Sequence, residues 1–306
     1  MYCIMKRVVV LMSTYNGGRF LKTQIDSVLS QQGVDVHLVI RDDGSSDETL
    51  TILEEYSDSV TIIKGQNCGC SNSFFELLRY AQSNFDDTCY FAFSDQDDFW
   101  LPDKLITAVN KLGDDNATPQ LYISNLWIVD GNLDNRTLLY TKDVPLSKSH
   151  SLIENHATGC TMVFNKCVVD SILTTDTDKY RIHDLPIFIL CLFKGKVIYD
   201  SVPHILYRQH HNNVIGANFY LRQRLRSKFR SLTCFWKQHV KENDARLWLK
   251  EFSDMFSTED LKLIEEVAFY RVKFRYRMRL LFSRHYHMYR KKDDFWFKIR
   301  VLLGSV

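Results

Sequence analysis

Four short, mostly apolar runs constrain this chain more than any other feature, because each is followed by a stretch with helical spacing. VVVLM at 8–12, VHLVI at 36–40, VTIIK at 60–64 and CYFAFS at 89–94 have the length and the β-branched or aromatic content of strands buried on both faces. After the first run, apolar residues recur at Phe20, Leu21, Ile25, Val28 and Leu29, and after the second at Leu50, Ile52, Leu53 and Tyr56. SNSFFELLRYAQ and PDKLITAVNKL follow the third and fourth, the latter with Pro102 in its first turn. Strands that alternate with helices predict an α/β fold: a mostly parallel sheet flanked by helices on both faces. The pattern then loosens. LYISNLWIV, TGCTMVFN, KVIYD and HILYRQ are strand-like, and DLPIFILCLF is a buried helix. Beyond RQHHNNVIG only basic, aromatic-rich helices are expected, which places an α/β domain at 1–216 and a helical C-terminal extension at 217–306.

Ligands of parallel sheets bind beyond the carboxyl ends of the strands. The polar clusters fall there: STYN after the first strand, RDDGSSD after the second and SDQDD after the fourth. In the last of these, Asp95, Asp97 and Asp98 stand within four residues. Carboxylates this close repel one another and need a counter-charge: a helix N-terminus, a basic side chain or a metal ion. One cap requires one aspartate, so three favour an oxygen-seeking divalent cation, Mg²⁺ or Mn²⁺. In RDDGSSDET, Gly44 suits a tight strand-to-helix turn and Ser45 or Ser46 a helix cap, but a turn does not need two adjacent carboxylates. Neither G-x-G-x-x-G nor a P-loop is present, which disfavours a dinucleotide fold and a Walker-type ATPase.

Composition adds two constraints. Eight cysteines show no C-x-x-C pair and no zinc-like spacing, so reduced thiols and a cytoplasmic location are expected. The formal net charge of +2 hides an asymmetry, since 217–306 carries 21 Lys+Arg against 10 Asp+Glu. Basic residues interleaved with Phe, Trp, Tyr and Leu suit either a helical extension with a solvated basic face or peripheral attachment to an anionic membrane, with nucleic acid the least favoured partner. No apolar run has the length to span a bilayer.

STYNGGRFLKTQIDSVLSQ, VIRDDGSSDET, NCGCSNSFFELL and FSDQDDFWLPDKL, with TGCTMVFNK and HDLPIFILCLFKGKVIYDSVPHILYRQHHNNVIG behind them, resemble the family 2 glycosyltransferases of the GT-A fold. The resemblance runs from about 6 to 216, and its DQDD…HD…YRQH pattern is most similar to bacterial rhamnosyltransferase-like members that build surface polysaccharides. It implies inverting transfer of a sugar, rhamnose among the candidates, from a nucleotide-diphosphate donor to a hydroxyl of a polysaccharide or lipid-linked oligosaccharide. It also implies residue roles. Thr14, Tyr15 and Asn16 would line the nucleotide pocket. Asp43 would bind the base or ribose. Asp95 would approach ribose or metal, and Asp97 would ligate the metal on the diphosphate. Asp184 would be the catalytic base, with His183 beside it. Arg208 could pair with a diphosphate oxygen. His210 or His211 could join the metal or the leaving group, the spacing before Asn213 favouring His210. Gly159 and Cys160 would lie near the acceptor. The rival functions are a sugar nucleotidyltransferase, which would usually show a fuller Gly-rich phosphate loop than STYNGGRF, and a non-catalytic nucleotide-sugar-binding protein.

Overall fold

In a computed structural model of the protein, the residues described are 5–87, 89–210 and 239–306. The chain forms two compact units, Met1–Asp143 with Ala157–Arg208, and Val144–His156 with Gln209–Val306. The boundary expected near Gly216 lies outside the described residues.

The first unit has eleven strands among its described residues: β1 (Lys6–Thr14), β2 (Val34–Asp42), β3 (Thr61–Lys64), β4 (Tyr90–Ser94), β5 (Phe99–Trp100), β6 (Gln120–Ser124), β7 (Trp127–Val129), β8 (Thr137–Leu138), β9 (Val163–Asn165), β10 (Lys196–Asp200) and β11 (Ile205–Arg208). Seven form one sheet in the order β10-β6-β9-β4-β1-β2-β3. All its pairings are parallel except those of β9, which is antiparallel to both neighbours. A smaller sheet has the order β5-β11-β7-β8. Helices α1 (Gly18–Leu29), α2 (Thr49–Glu54), α3 (Cys70–Asn84) and α4 (Lys104–Leu112) connect the first strands as the spacing predicts. Of the apolar runs, those of β1 and β4 are buried on both faces, with Val8 through Met12 all 0% exposed, whereas the edge strand β3 is only partly buried. Partners of these runs in one cluster include Leu21, Ile25 and Val28 of α1 and Leu105, Ala108 and Val109 of α4. Each such side chain contributes about 1.5–3 kcal/mol by leaving water.

Three local expectations are revised. LYISNLWIV is two strands in different sheets, divided at Asn125, whose side chain bonds the backbone of Leu126 and Tyr140. TGCTMVFN is strand only over β9, after a single 3₁₀ turn at Gly159–Thr161. Helix α2 starts without a side-chain cap, because Ser45 and Ser46 are engaged in the preceding loops.

After α5 (Lys148–Ser151), the first unit continues with α6 (Lys166–Ile172) and α7 (Asp184–Lys194). The second unit combines α5 with α8 (Val240–Glu251), α9 (Thr258–Ala268), α10 (Phe274–Phe282) and α11 (Lys291–Leu303). Part of its basic character is internal: buried Glu242 pairs with Arg246 and Arg271, and buried Glu266 with Arg279. Among the described residues no helix is long and apolar enough to cross a membrane.

Candidate active site

Strands β1, β2 and β4 are neighbours and end together, with Thr14 opposite Asp42 and Met12 opposite Ser94. The three polar clusters therefore share one rim. At the β2 end, Asp42 shapes the turn. Its carboxylate accepts from the N–H groups of Gly44 (3.2 Å) and Ser45 (2.9 Å), from Ser45 Oγ (2.5 Å) and from Thr14 Oγ1 (3.1 Å). Gly44, at φ +80°, takes the conformation that L side chains resist. Asn16 stitches the same two loops, its Oδ1 accepting the Ser46 N–H at 2.8 Å. Thr14 is thus buried structure rather than pocket lining, while Tyr15 presents a side chain that is 49% exposed.

Asp43 is buried against the start of α3. It accepts from Arg41 (2.5 Å) and from the N–H groups of Cys68 (2.9 Å) and Gly69 (3.0 Å). Burial pushes its carboxyl up, but Arg41 and the Cys68 donors outweigh that and hold it below the ordinary carboxylate range. Asp43 is therefore a fixed negative charge.

At the β4 end the electrostatics reverse. Asp95 is raised to about 7 by burial and then by the charges of Asp97 and Asp184. Asp98 is fully buried and raised well above its ordinary value by burial, Asp97 and Asp95. Its Oδ1 accepts the Arg208 N–H at 3.2 Å, and its Oδ2 has no hydrogen-bond partner among the described residues. Ligand atoms of Asp95, Asp98 and Cys160 lie within 4.8 Å of one another. This group shares Asp95 with the expected Asp97, Asp95 and His210, and adds Asp98 and Cys160. The orphaned carboxylate oxygen and the excess of negative charge fit a hard divalent cation, which takes oxygen ligands. No aspartate of SDQDD caps α4, whose N-terminal flank is Asp103.

A basic counter-charge is also present. Lys104, at the start of α4, is 0% exposed, lies 3.6 Å over the Trp100 ring, and has no hydrogen-bond partner for Nζ among the described residues. Burial pulls it down to about 7 against the opposing pull of Cys160 and Asp98. Its signal was legible: Lys104 falls on the stripe of Leu105, Ala108, Val109 and Leu112, the buried face of α4. Cys160 is buried, and burial followed by the charges of Asp98 and Asp95 raises its thiol well above the usual value, so it stays protonated and is no nucleophile.

Asp184 opens α7, and His183 precedes it. Burial raises Asp184 to about 6, against the N–H groups of Leu185, Gly159 and Asp184 itself, which favour the carboxylate. The His183 ring stacks on Phe74 (4.0 Å between centroids) and meets Phe93 edge-on (4.9 Å). Burial drives it down to about 3, so it is a neutral wedge. Gly159, expected near the acceptor, makes room for the His183 ring and donates its N–H to Asp184. A Cβ there would lie 2.7 Å from His183 Nε2. Gly159→Ala should therefore lower stability by about 1–3 kcal/mol and reduce turnover by displacing Asp184; a thermal melt and a rate assay check both, and an unchanged melt would show that the ring can yield.

Arg208, expected on a diphosphate, is 4% exposed and donates to the carbonyls of Asp97 (2.8 Å) and Gly131 (2.5 Å), with its guanidinium over Phe20. It shapes the Asp97 loop. Two residues that sequence reasoning missed also belong here. Gln96 bonds both the N–H and the carbonyl of Tyr15, and the Tyr207 hydroxyl is raised by burial and by Asp95, Asp98, Cys160 and Asp97. His211 lies outside the described residues. The Cys70 thiol, solvent-accessible yet crowded, is pushed up to about 12 by surrounding protein and then by Asp95, Asp184, Asp43 and Asp97. Carboxylates from two strand ends and one helix start thus act on one thiol at the sheet rim.

The chain is similar in sequence to known glycosyltransferases. The dTDP-rhamnosyl transferase RfbG of Shigella flexneri is 31% identical over 223 residues, 68% of this chain and 74% of that protein. The UDP-Glc:alpha-D-GlcNAc-diphosphoundecaprenol beta-1,3-glucosyltransferase WfgD of Escherichia coli is 26% identical over 53% of this chain and 62% of its own length. In fold, the chain is similar to S. aureus TarS 1-349 in complex with UDP-GlcNAc, with a TM-score of 0.53 at 13% identity over 96% of this chain and 90% of that one. The fold is the GT-A fold. Residues 9–172 match the description Glycosyl transferase family 2, and the chain belongs to that family.

Proposed function

We propose that the protein is a metal-dependent, inverting glycosyltransferase that moves a sugar from a nucleotide-diphosphate donor to a hydroxyl of a surface polysaccharide or lipid-linked oligosaccharide. The observation that carries this reading is that Asp43, Asp95, Asp97 and Asp184 stand close enough to act on one thiol, Cys70, at the carboxyl rim of the sheet. Asp43, held ionised, accepts hydrogen bonds from the base or ribose. Asp184 removes the proton of the acceptor hydroxyl. The acceptor oxygen then bonds to the anomeric carbon from the face opposite the diphosphate, the electron pair of the breaking C–O bond leaves with the diphosphate, and the anomeric centre inverts. Asp95 and Asp98, with Asp97 beside them, would hold Mg²⁺ or Mn²⁺, whose contribution is to neutralise charge on the departing phosphate oxygens. The dTDP-rhamnosyl and diphosphoundecaprenol names of the relatives support a deoxythymidine- or uridine-diphosphate donor and a lipid-linked acceptor. The test is a thermal-shift screen of nucleotide sugars with Mn²⁺, followed by turnover with a lipid-diphosphate acceptor and NMR of the product anomer. A retained anomeric configuration, or no donor that stabilises the protein, would overturn the reading.

A lipid-linked acceptor would place the enzyme at the inner face of the membrane. Phe274 and Phe282 of α10 are 74% and 79% exposed beside exposed Arg275 and Arg279, and Phe295 and Trp296 of α11 are also exposed. Aromatics among cations suit an interfacial helix. Phe282→Glu with Trp296→Glu should reduce co-sedimentation with anionic vesicles severalfold while leaving turnover of a water-soluble acceptor intact; equal sedimentation would remove the membrane role.

A further inference from the structure

The second unit contains a cluster of side chains for which sugar transfer has no use. His150 leaves the last turn of α5, a turn oriented by Ser147 Oγ, which accepts the His150 N–H. Glu154 follows four residues later and His156 two after that. Both imidazoles are buried, at 0% and 3% exposure, and their rings stack within 9° of parallel. Their Nε2 atoms face each other at 2.8 Å, and Glu154 Oε2 lies 3.3 Å from the first and 3.8 Å from the second. Three possible ligand atoms thus crowd together, and deprotonation of the shared Nε2–H would free both imidazole nitrogens for a metal. A triangle with these sides has a circumscribed radius of about 2.0 Å, so a point about 2.0–2.1 Å from all three atoms exists just off their plane, the usual zinc–nitrogen and zinc–oxygen distance.

We propose that His150, Glu154 and His156 bind one zinc-class transition-metal ion, which clamps the 144–156 segment within the second unit. Two imidazoles and one carboxylate select zinc, nickel or copper over magnesium and calcium, which prefer all-oxygen shells. Three protein ligands leave a fourth position open. His287 stands edge-on to His150 with ring centroids 5.4 Å apart but is not among the grouped ligand atoms, and its Nδ1 lies 2.8 Å from the Arg284 carbonyl. The cluster is also anchored as a clamp should be. Glu154 accepts the Tyr289 N–H at 2.6 Å, Lys148 bonds Asp260 at 2.8 Å, and Ser149 Oγ donates to the His285 carbonyl at 3.1 Å. The site is separate from the acidic recess in residues and in donor chemistry, and it stands whether or not the proposed transfer reaction is correct.

The test uses the full-length chain stripped with a chelator and titrated with Zn²⁺ against a chromophoric competitor. One equivalent should bind, and the melting temperature should rise as it does. His156→Asn should weaken that binding at least tenfold and abolish the rise, and Glu154→Gln should weaken it less. Asp97→Ala, in the acidic recess, should keep both. X-ray absorption at the zinc edge of the wild-type complex should read two imidazole ligands, which decides the matter even if His156→Asn fails to fold. An all-oxygen shell, or equal zinc uptake by the wild type and both cluster variants, would mark the metal as adventitious and overturn the site.

Discussion

Asp184→Asn should lower turnover about 10²–10⁴-fold, the usual loss when a general base is removed, while donor affinity changes only a few-fold. The reason is positional: Asp184 opens a buried helix, and the charges of Asp184 and Asp95 both act on the Cys70 thiol in the recess. The same burial fixes the pH dependence. A base must be deprotonated, and Asp184 titrates near 6, so kcat/KM should fall as pH drops through about 6. Stability carries the opposite sign. The folded value lies above the ordinary 3.8, so the contribution of this group is complete below about 4 and is lost as pH rises through about 6. The melting temperature of Asp184→Asn, relative to wild type, should therefore improve between pH 4 and pH 8, by a free energy on the order of 1–3 kcal/mol. A variant that keeps its turnover, or a wild type whose acid limb lies near 4, would remove Asp184 as the base.

Asp97→Ala and Asp98→Asn should each cost at least about 10²-fold in turnover, comparable to losing one preorganised group that stabilises developing charge. They should also remove the part of donor-induced thermal stabilisation that depends on Mn²⁺. The two positions separate an assignment made on sequence from one made on structure. Asp97 matches the family's motif, but it is Asp98 that groups with Asp95 and carries a buried, unpartnered oxygen. If Mn²⁺-dependent stabilisation survives in Asp98→Asn and disappears in Asp97→Ala, Asp97 holds the ion and Asp98 is a buried structural acid linked to Arg208. If it survives in both, neither residue binds metal.

The rim carboxylates were legible because two local signals met: strand runs of known direction and polar clusters at their carboxyl ends. Asp43 lay in one of those clusters, whereas Asp184, at a helix start, was singled out only by the family resemblance. The place of Arg208 was not legible, since a sequence cannot say whether a guanidinium will face a ligand or close on the carbonyls of Asp97 and Gly131. Thr14 and Asn16 were expected to line a nucleotide pocket, and their side chains bond within the loops that end β1 and β2.

By itself, the sequence determined the alternation of strands and helices, the direction of the sheet and the edge on which acidic residues collect. Those properties depend on residue periods of two and 3.6, which are local. Only the tertiary structure decided which buried groups meet across long separations: Lys104 beside Asp98 and Cys160, His183 between Phe74 and Phe93 with Gly159 making room, and Val144–His156 grouped with the C-terminal helices. Burial also set the protonation of Asp95, Asp98 and Asp184, because the cost of a charge depends on the atoms around it, and those come from distant parts of the chain.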